Sequence, residues 1–338
     1  MSNLIQHISL DEATTVHSGT VHHFGDTASE LKVALETSGK CPMGSLGVVS
    51  VSGSDSIEFL NAQFTTDCTQ LSSSRSQLSG WCDPKGRVLF LFTLSRIGDS
   101  VFVMIARTQI AKFLSRLQMY VLRADVEIKD CSDDKSIFGL LGNESINGID
   151  ITGLMQPWDS VQADGAMIIR YGYGHERYLV VSNNEPAIEM WTSLTASNVG
   201  EDVWTVFDGY TGFPRLGERS YGEFLPQQLN LDCLDSVSFS KGCYPGQEII
   251  ARLKYRGEVK KRLRAFSHNS INDVPDGTRI LESNGEKVSG HVLYSQRVDT
   301  RQAIAAGIID VDTDIGSLIL DGHSDAQLQE LALPYSLD

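Results

Sequence analysis

An α+β architecture ending in a small all-β barrel or sandwich is the fold class this sequence predicts. Up to Arg256 the chain mixes helical and strand signals. Beyond Gly257 it turns to short β-rich pieces (Val259–Phe266, Arg279–Leu281, Gly290–Tyr294, Ala303–Ile309) separated by Asn, Asp and Gly. Its 338 residues exceed one ordinary hydrophobic core, so two or three domains are expected. The expected division is an N-terminal α+β portion over residues 1–134, a second α+β portion over 135–256, and the barrel over 257–338.

The elements follow in order from local chemistry. Residues 1–44 are polar and mixed, with one helical stretch near Ala28–Ser38. Leu46–Val51 reads as a strand, Gly53-Ser54-Asp55-Ser56 as a turn and N-cap, and Ile57-Glu58-Phe59-Leu60 as the start of a helix. After the Ser72-Ser73-Ser74 loop, Asp83-Pro84-Lys85-Gly86 is turn chemistry between two strands. Val88–Leu94 and Val101–Ile105 are β-rich, Gln109–Met119 fits a helix, and Val121–Ile128 alternates as a strand should. Strands are expected again near Ser136–Leu141, Ala166–Tyr171 and Tyr178–Ser182, and helices near Pro186–Ala196 and over Gln247–Arg256.

Composition narrows the function. With 41% apolar and 21% charged residues the chain reads as a soluble globular protein. No apolar run approaches the roughly 18 residues of a membrane span, and Met1–Thr20 lacks the layout of a signal or transit peptide. A cytoplasmic protein with no membrane partner is expected. A net charge of −15 argues against a chain built mainly to hold nucleic acid. The acidity is uneven, however: Lys241, Arg252, Lys254, Arg256, Lys260, Lys261, Arg262 and Arg264 are opposed only by Glu248 and Glu258. Such a run is most often a solvated face, but here it is also the obvious place for an anionic ligand. The six cysteines, Cys41, Cys68, Cys82, Cys131, Cys233 and Cys243, form no C-x-x-C pair, and the histidines form no H-x-x-x-H. Neither a disulfide framework nor an intrinsic metal site is expected.

The stretch Lys241-Gly242-Cys243-Tyr244-Pro245-Gly246-Gln247-Glu248 is the densest in chemistry. A cysteine ahead of a helix N-terminus, with a lysine two residues away, reads as a reactive thiol. The plainer reading is a tight loop whose cysteine is a small buried hydrophobe. Glycines on both sides of Cys-Tyr indicate sharp turning or close approach of another group.

Several segments together resemble the YgfZ-type folate-binding proteins, relatives of the GcvT aminomethyltransferases. The octapeptide and its continuation Ile249-Ile250-Ala251-Arg252 are central to the match. They are joined by Leu225-Pro226-Gln227-Gln228-Leu229-Asn230-Leu231, Val237-Ser238-Phe239, Tyr255-Arg256-Gly257 and Lys260-Lys261-Arg262-Leu263. In the N-terminal half, Phe59-Leu60-Asn61-Ala62-Gln63 and Cys82-Asp83-Pro84-Lys85-Gly86-Arg87-Val88-Leu89 fit as well. The resemblance covers about residues 45–310. It implies a GcvT-like fold in which two α+β (ferredoxin-like) portions and a C-terminal β-barrel surround a tetrahydrofolate pocket. It further implies a part in making or repairing iron–sulfur enzymes, including one that thiolates tRNA. Those client enzymes would be protein partners, with tRNA involved only indirectly.

Two departures bear on chemistry. Where the aminomethyltransferases carry a catalytic aspartate shortly after a Gly-Gly that aligns with Gly86-Arg87, this chain has apolar Phe90. Many relatives hold a glutamate two residues before G-I-P. Here Asp208-Gly209-Tyr210-Thr211-Gly212-Phe213-Pro214 puts Tyr210 in that place, with Asp208 as the nearest carboxylate.

A folate pocket wants a carboxylate or amide for the pterin edge, an aromatic face and a cation for the tail. Asp208, Gln227, Tyr244, Gln247 and Arg252 are the candidates for these roles. Glu248 suits the first role too, but equally suits its own helix N-terminus. Tyr244 is as readily a core ring, and Arg252 as readily an i,i+4 partner of Glu248. Asp83, Lys85 and Arg87 form a second charged block that turn chemistry explains equally well. Cys243 is the functional thiol of choice, and with no His in its motif a redox, persulfide or metal-handling thiol fits better than a Cys–His hydrolase. The leading expectation is a folate-dependent accessory factor for iron–sulfur enzymes. The alternatives are a one-carbon (aminomethyl) transferase or demethylase, and an RNA-binding module using Arg252–Arg264; net acidity and the absence of interleaved aromatics oppose the last.

Overall fold

Near-continuous apolar runs make strands that are buried on both faces, and Lys135–Leu141, Ala166–Arg170 and Arg177–Asn183 are such strands. The computed structural model of the protein describes residues 3–337 apart from 9, 143, 147, 164, 284, 286 and 324. It groups them into two units: Met1–Ser79 with Phe92–Trp204, and Gly80–Leu91 with Thr205–Asp338. In the first unit the three runs lie in a six-stranded sheet of order Ser160–Ala163, Ala166–Arg170, Arg177–Asn183, Lys135–Leu141, Gly39–Pro42, Ser197–Asn198. Only the last pair is parallel. Phe138, Leu140, Ile168 and Val180 bury against Met190 and Trp191 of the helix Asn184–Ser193. Each such side chain contributes about 1.5–3 kcal/mol by leaving water.

A five-stranded sheet has the order Gln77–Cys82, Val88–Ile97, Ser100–Ala106, Leu46–Ser52, Glu127–Asp130. Phe92 packs on Phe64 at 4.6 Å with the rings tilted by 59° and meets Phe113 of the helix Ile110–Gln118 edge-on at 5.5 Å. The strand expected over Val121–Ile128 forms at Glu127–Asp130, sharing only Glu127 and Ile128 with that stretch. The Asp125 carboxylate instead accepts from the Ser54 amide and hydroxyl, and its own amide donates to Asp55. These long-range hydrogen bonds hold the preceding residues in a turn and leave Leu122 86% exposed. A helix over Glu201–Tyr210 has no counterpart in the sequence reading.

In the second unit the β-rich pieces after Gly257 form a six-stranded, fully antiparallel sheet. Its order is Leu318–Leu320, Arg279–Glu282, Val288–Arg297, Ala303–Asp310, Lys261–His268, Leu328–Leu331. Bulges at Ile280/Leu281 and Val292/Tyr294 bend the strands, and the sheet curls into a half-barrel. Phe266, Ile280, Val292, Ala305, Ile309 and Leu320 fill it. The rest of the unit is short 3-10 turns, Glu218–Ser220 and Pro226–Leu229, and the helix Gln247–Arg256. Among the described residues no helix is long and apolar enough to cross a membrane.

Candidate functional site

Asp83-Pro84-Lys85-Gly86 turns the chain as its residue types demand. The Gly86 amide donates to the Asp83 carbonyl, and Gly86 takes the left-handed φ of +78°. The Asp83 carboxylate accepts from the amides of Lys85 (2.9 Å) and Arg87 (2.8 Å). Asp83 is thereby the organiser of the turn, while Lys85 and Arg87 are exposed. The Arg87 guanidinium reaches the Glu223 carbonyl.

The octapeptide folds as a self-fastened loop on Ser238. The Lys241 amide donates to the Ser238 hydroxyl (3.2 Å), the Tyr244 hydroxyl to the Ser238 carbonyl (3.3 Å), and the Gln247 side-chain amide to the Lys241 carbonyl (3.4 Å). Tyr244 is buried, and burial together with nearby Cys82 raises its phenol above the ordinary range. The Lys241 ammonium sits 4.8 Å from the centre of this ring. Gly242 and Cys243 are exposed. The helix Gln247–Arg256 starts at Gly246, whose φ is +82° and whose carbonyl accepts from the Ile249 and Ile250 amides.

The two blocks meet backbone to backbone. A Cβ added at Gly246 would lie 2.5 Å from the Gly86 Cα and 2.6 Å from the Asp83 carbonyl oxygen. One added at Gly86 would lie 3.3 Å from both the Gly246 oxygen and the Ile249 Cβ. The structure therefore brings Asp83, Lys85 and Arg87 together with Cys243, Tyr244 and Gln247, although nothing in either motif alone signals the other.

The remaining candidates occupy distinct positions. Asp208 is buried on the helix Glu201–Tyr210, its carboxylate 2.8 Å from Arg215 Nη1. Arg215 was not singled out from sequence; its only signal is its place directly after G-F-P. Gln227 is fully buried: its amide nitrogen donates to the Ile250 carbonyl at 2.7 Å, tying Pro226–Leu229 to the motif helix. Its Oε1 is buried without a partner among the described residues. Glu248 and Arg252 are exposed and form no ion pair with each other among the described residues. Of the basic run, Arg262 is bound by Asp232 through two hydrogen bonds and Arg264 pairs with Glu330, so these two are structural. Phe90 is a core ring, stacked on Trp81 at 5.6 Å and edge-on to Tyr221 at 5.4 Å.

The cysteines separate by environment. Cys41, Cys68 and Cys82 are buried, and Cys243 is the exposed one of the six. Burial and Asp83 push the Cys82 thiol far up, and burial with Asp232 pushes Cys233 up to about 11. Among the described residues no three His, Cys, Asp or Glu side chains converge as metal ligands. A surface cavity of about 460 Å³ lined by Arg264, Glu330, Leu333 and Tyr335 contains none of the predicted site residues.

Residues 17–152 match the family model of the GCVT N-terminal domain. The chain is 30% identical over 301 residues to the tRNA-modifying protein YgfZ of Vibrio vulnificus (strain YJ016), which spans 88% of this chain and 92% of that one. It is 28% identical over 300 residues to the protein of that name from Escherichia coli O7:K1, spanning 86% and 91%. Among solved structures, glycine cleavage system aminomethyltransferase T from Bartonella henselae superposes with a TM-score of 0.72 at 14% identity, over 90% of this chain and 88% of that one. That likeness shows the GcvT-like fold, and the near full-length match to the Vibrio protein, at 30% identity, shows that the chain belongs to the YgfZ family.

Proposed function

We propose that the chain is a tetrahydrofolate-binding accessory protein in the synthesis or repair of iron–sulfur enzymes, tRNA-thiolating ones among them, with Cys243 as its working thiol. The relatives' name, tRNA-modifying protein, supports the tRNA end of this reading, and the GCVT family model supports the folate end. The observation that carries it is the seat of Gly246 on Gly86, which holds a cysteine on a pinned, solvent-facing loop where core packing would have made it inert.

The residues fit a folate. Gln227 Oε1 is a buried acceptor lacking a partner among the described residues, and a pterin edge is rich in N–H donors. Asp208, kept beside the Arg215 guanidinium, is a second acceptor, and Arg252, exposed and outside any ion pair, suits a glutamate-tail carboxylate. Bound there, a reduced pterin supplies one-carbon chemistry. The chain's own part is to orient the ring through Asp208 and Gln227, anchor the tail through Arg252 and present the Cys243 thiol. Aminomethyl transfer has less support, because Phe90 offers no charge for a developing cation.

Titration of tetrahydrofolate tests the reading. Arg252→Ala should weaken binding about tenfold, the worth of one charge-assisted hydrogen bond. Cys243→Ala should leave affinity within about twofold and the melting temperature unchanged, yet lower the activity of client iron–sulfur enzymes in cells. Absence of folate binding by the wild type sinks the ligand, and unchanged client activities sink the thiol.

A further inference from the structure

We propose that the outward face of the motif helix Gln247–Arg256, continued by the Lys85–Arg87 turn, docks the phosphodiester backbone and an unpaired base of a folded RNA. The proposal rests on the tRNA-modification reading only for its choice of polyanion. Ile250 is buried under the helix, while Arg252, Lys254, Tyr255 and Arg256 are exposed. Arg252 and Arg256 are four residues apart and share one stripe. None of Arg252, Lys254 and Arg256 pairs with a carboxylate among the described residues. Elsewhere in the same unit Arg215, Arg264, Arg279, Lys287 and Arg297 each have an acidic partner. In a chain of net charge −15, cations left unpaired on one helix mark the place for an anion.

Tyr255 stands between Lys254 and Arg256 in the chain, and the fold brings a second ring, Phe239, beside it. The Lys254 ammonium lies 5.7 Å from the Phe239 ring centre, and Phe239 meets Tyr255 edge-on at 6.1 Å. Tyr255 is nonetheless 70% exposed. Cations in a last turn complement the helix dipole, and that accounts for Lys254 and Arg256. It does not account for a tyrosine left open on an aromatic–lysine cluster. Ring plus cation is the arrangement that holds a splayed base beside its phosphate. At the other end of the helix Gly86 packs on Ile249, which brings the turn carrying exposed Lys85 and Arg87 to the start of the helix.

Binding of the full chain to an unmodified tRNA transcript, with polyglutamate as competitor, tests this at 50 and 200 mM salt. Three to four phosphate contacts predict a roughly 100-fold loss of affinity between the two salts. Lys254→Glu combined with Arg256→Glu should weaken binding at least tenfold and flatten the salt dependence. Tyr255→Ala should weaken it about fivefold or more. Tetrahydrofolate affinity, measured on the same samples, should stay at wild-type level in both variants. The proposal is overturned by absence of tRNA binding at 50 mM salt, or by variants that bind as the wild type does. Polyglutamate competing as well as tRNA overturns it too and assigns the face to an acidic protein. Retained, variant-sensitive tRNA binding in a chain that fails to bind folate supports this proposal and removes only the folate reading.

Discussion

Cys243 and Cys82 belong to the two packed blocks but live in different chemical worlds. Cys82 is buried beside Asp83, which disfavours its thiolate twice over, and Cys233 is held at about 11 by burial and Asp232. Cys243 alone is exposed. Because the thiolate is the nucleophile, brief alkylation with iodoacetamide near neutral pH should label Cys243 at least tenfold faster than Cys82 or Cys233, as read by peptide mass spectrometry. Comparable labelling of all three would show that the loop does not single out this sulfur. The position of Cys243 was legible in the sequence because its glycines and the helix after it are contiguous with it. The partner of Lys241 was not. The cation expected beside the thiol lies over the Tyr244 ring, since an ammonium near a buried aromatic gains more by covering the ring face than by reaching into solvent. Asp208 was legible as a carboxylate candidate, whereas its burial and its tie to Arg215 depend on the turn through Gly212 and Phe213, which no spacing reveals.

Elements with local causes were read well. The Asp83–Gly86 turn follows from Pro and Gly at their proper turn positions, and the helix Gln247–Arg256 follows from Gly246 before it and Gly257 after it. What escaped is short or non-local. Helix Glu201–Tyr210 carries Val203, Trp204, Val206 and Phe207, all buried and spaced i, i+1, i+3 and i+4, a helical pattern that is present in the sequence but spans a segment of only ten residues. The Val121–Ile128 alternation lost to the hydrogen bonds that Asp125 accepts from Ser54 and donates to the Asp55 carboxylate. Least legible of all is the Gly86–Gly246 contact, because a glycine announces freedom but not the neighbour that needs it. That contact makes a sharp prediction. Gly246→Ala places a side chain in a left-handed conformation, costing about 1–3 kcal/mol, and drives its Cβ into the Gly86 backbone. Its melting temperature should fall by several degrees. Gly242→Ala, where an added Cβ meets nothing within 4 Å, should melt within about a degree of wild type. A Gly246→Ala protein as stable as the Gly242→Ala control would mean that the two loops do not touch.

For the whole molecule, acid stability exposes how the half-barrel is held. His268 lies at the end of the strand Lys261–His268 and is 2% exposed. Its Nδ1 accepts from the Ser270 amide at 3.3 Å, so Nε2 carries the proton and donates to the Ser295 hydroxyl at 2.9 Å. The charged groups facing it are Arg297 and His323, and burial with these two depresses its pKa to about 4. In the unfolded chain the same imidazole titrates near 6.5. Between those values the unfolded state binds more protons, so stability rises with pH across the window. The contribution of neutral His268 is complete above about 6.5 and is lost as pH falls toward 4, by up to about 3 kcal/mol. Glu144, Asp125 and Asp150, whose pKa values are lowered, act in a separate and more acidic window: hydrogen bonds to their carboxylates are lost only as pH falls through those lowered values. His22 works in the opposite sense. Asp202 raises its pKa, so its stabilisation is present below the unfolded value and is lost as pH rises through the folded one. It is exposed enough for that effect to be small. Thermal unfolding from pH 8 to pH 4 should therefore show a progressive fall beginning near pH 6.5. His268→Gln can still donate to Ser295 but cannot take up a proton. It should start less stable at pH 8, through imperfect packing, yet lose clearly less between pH 6.5 and 4.5. If its pH slope there matched that of the wild type, the proton uptake that weakens the fold would lie elsewhere than at this strand end.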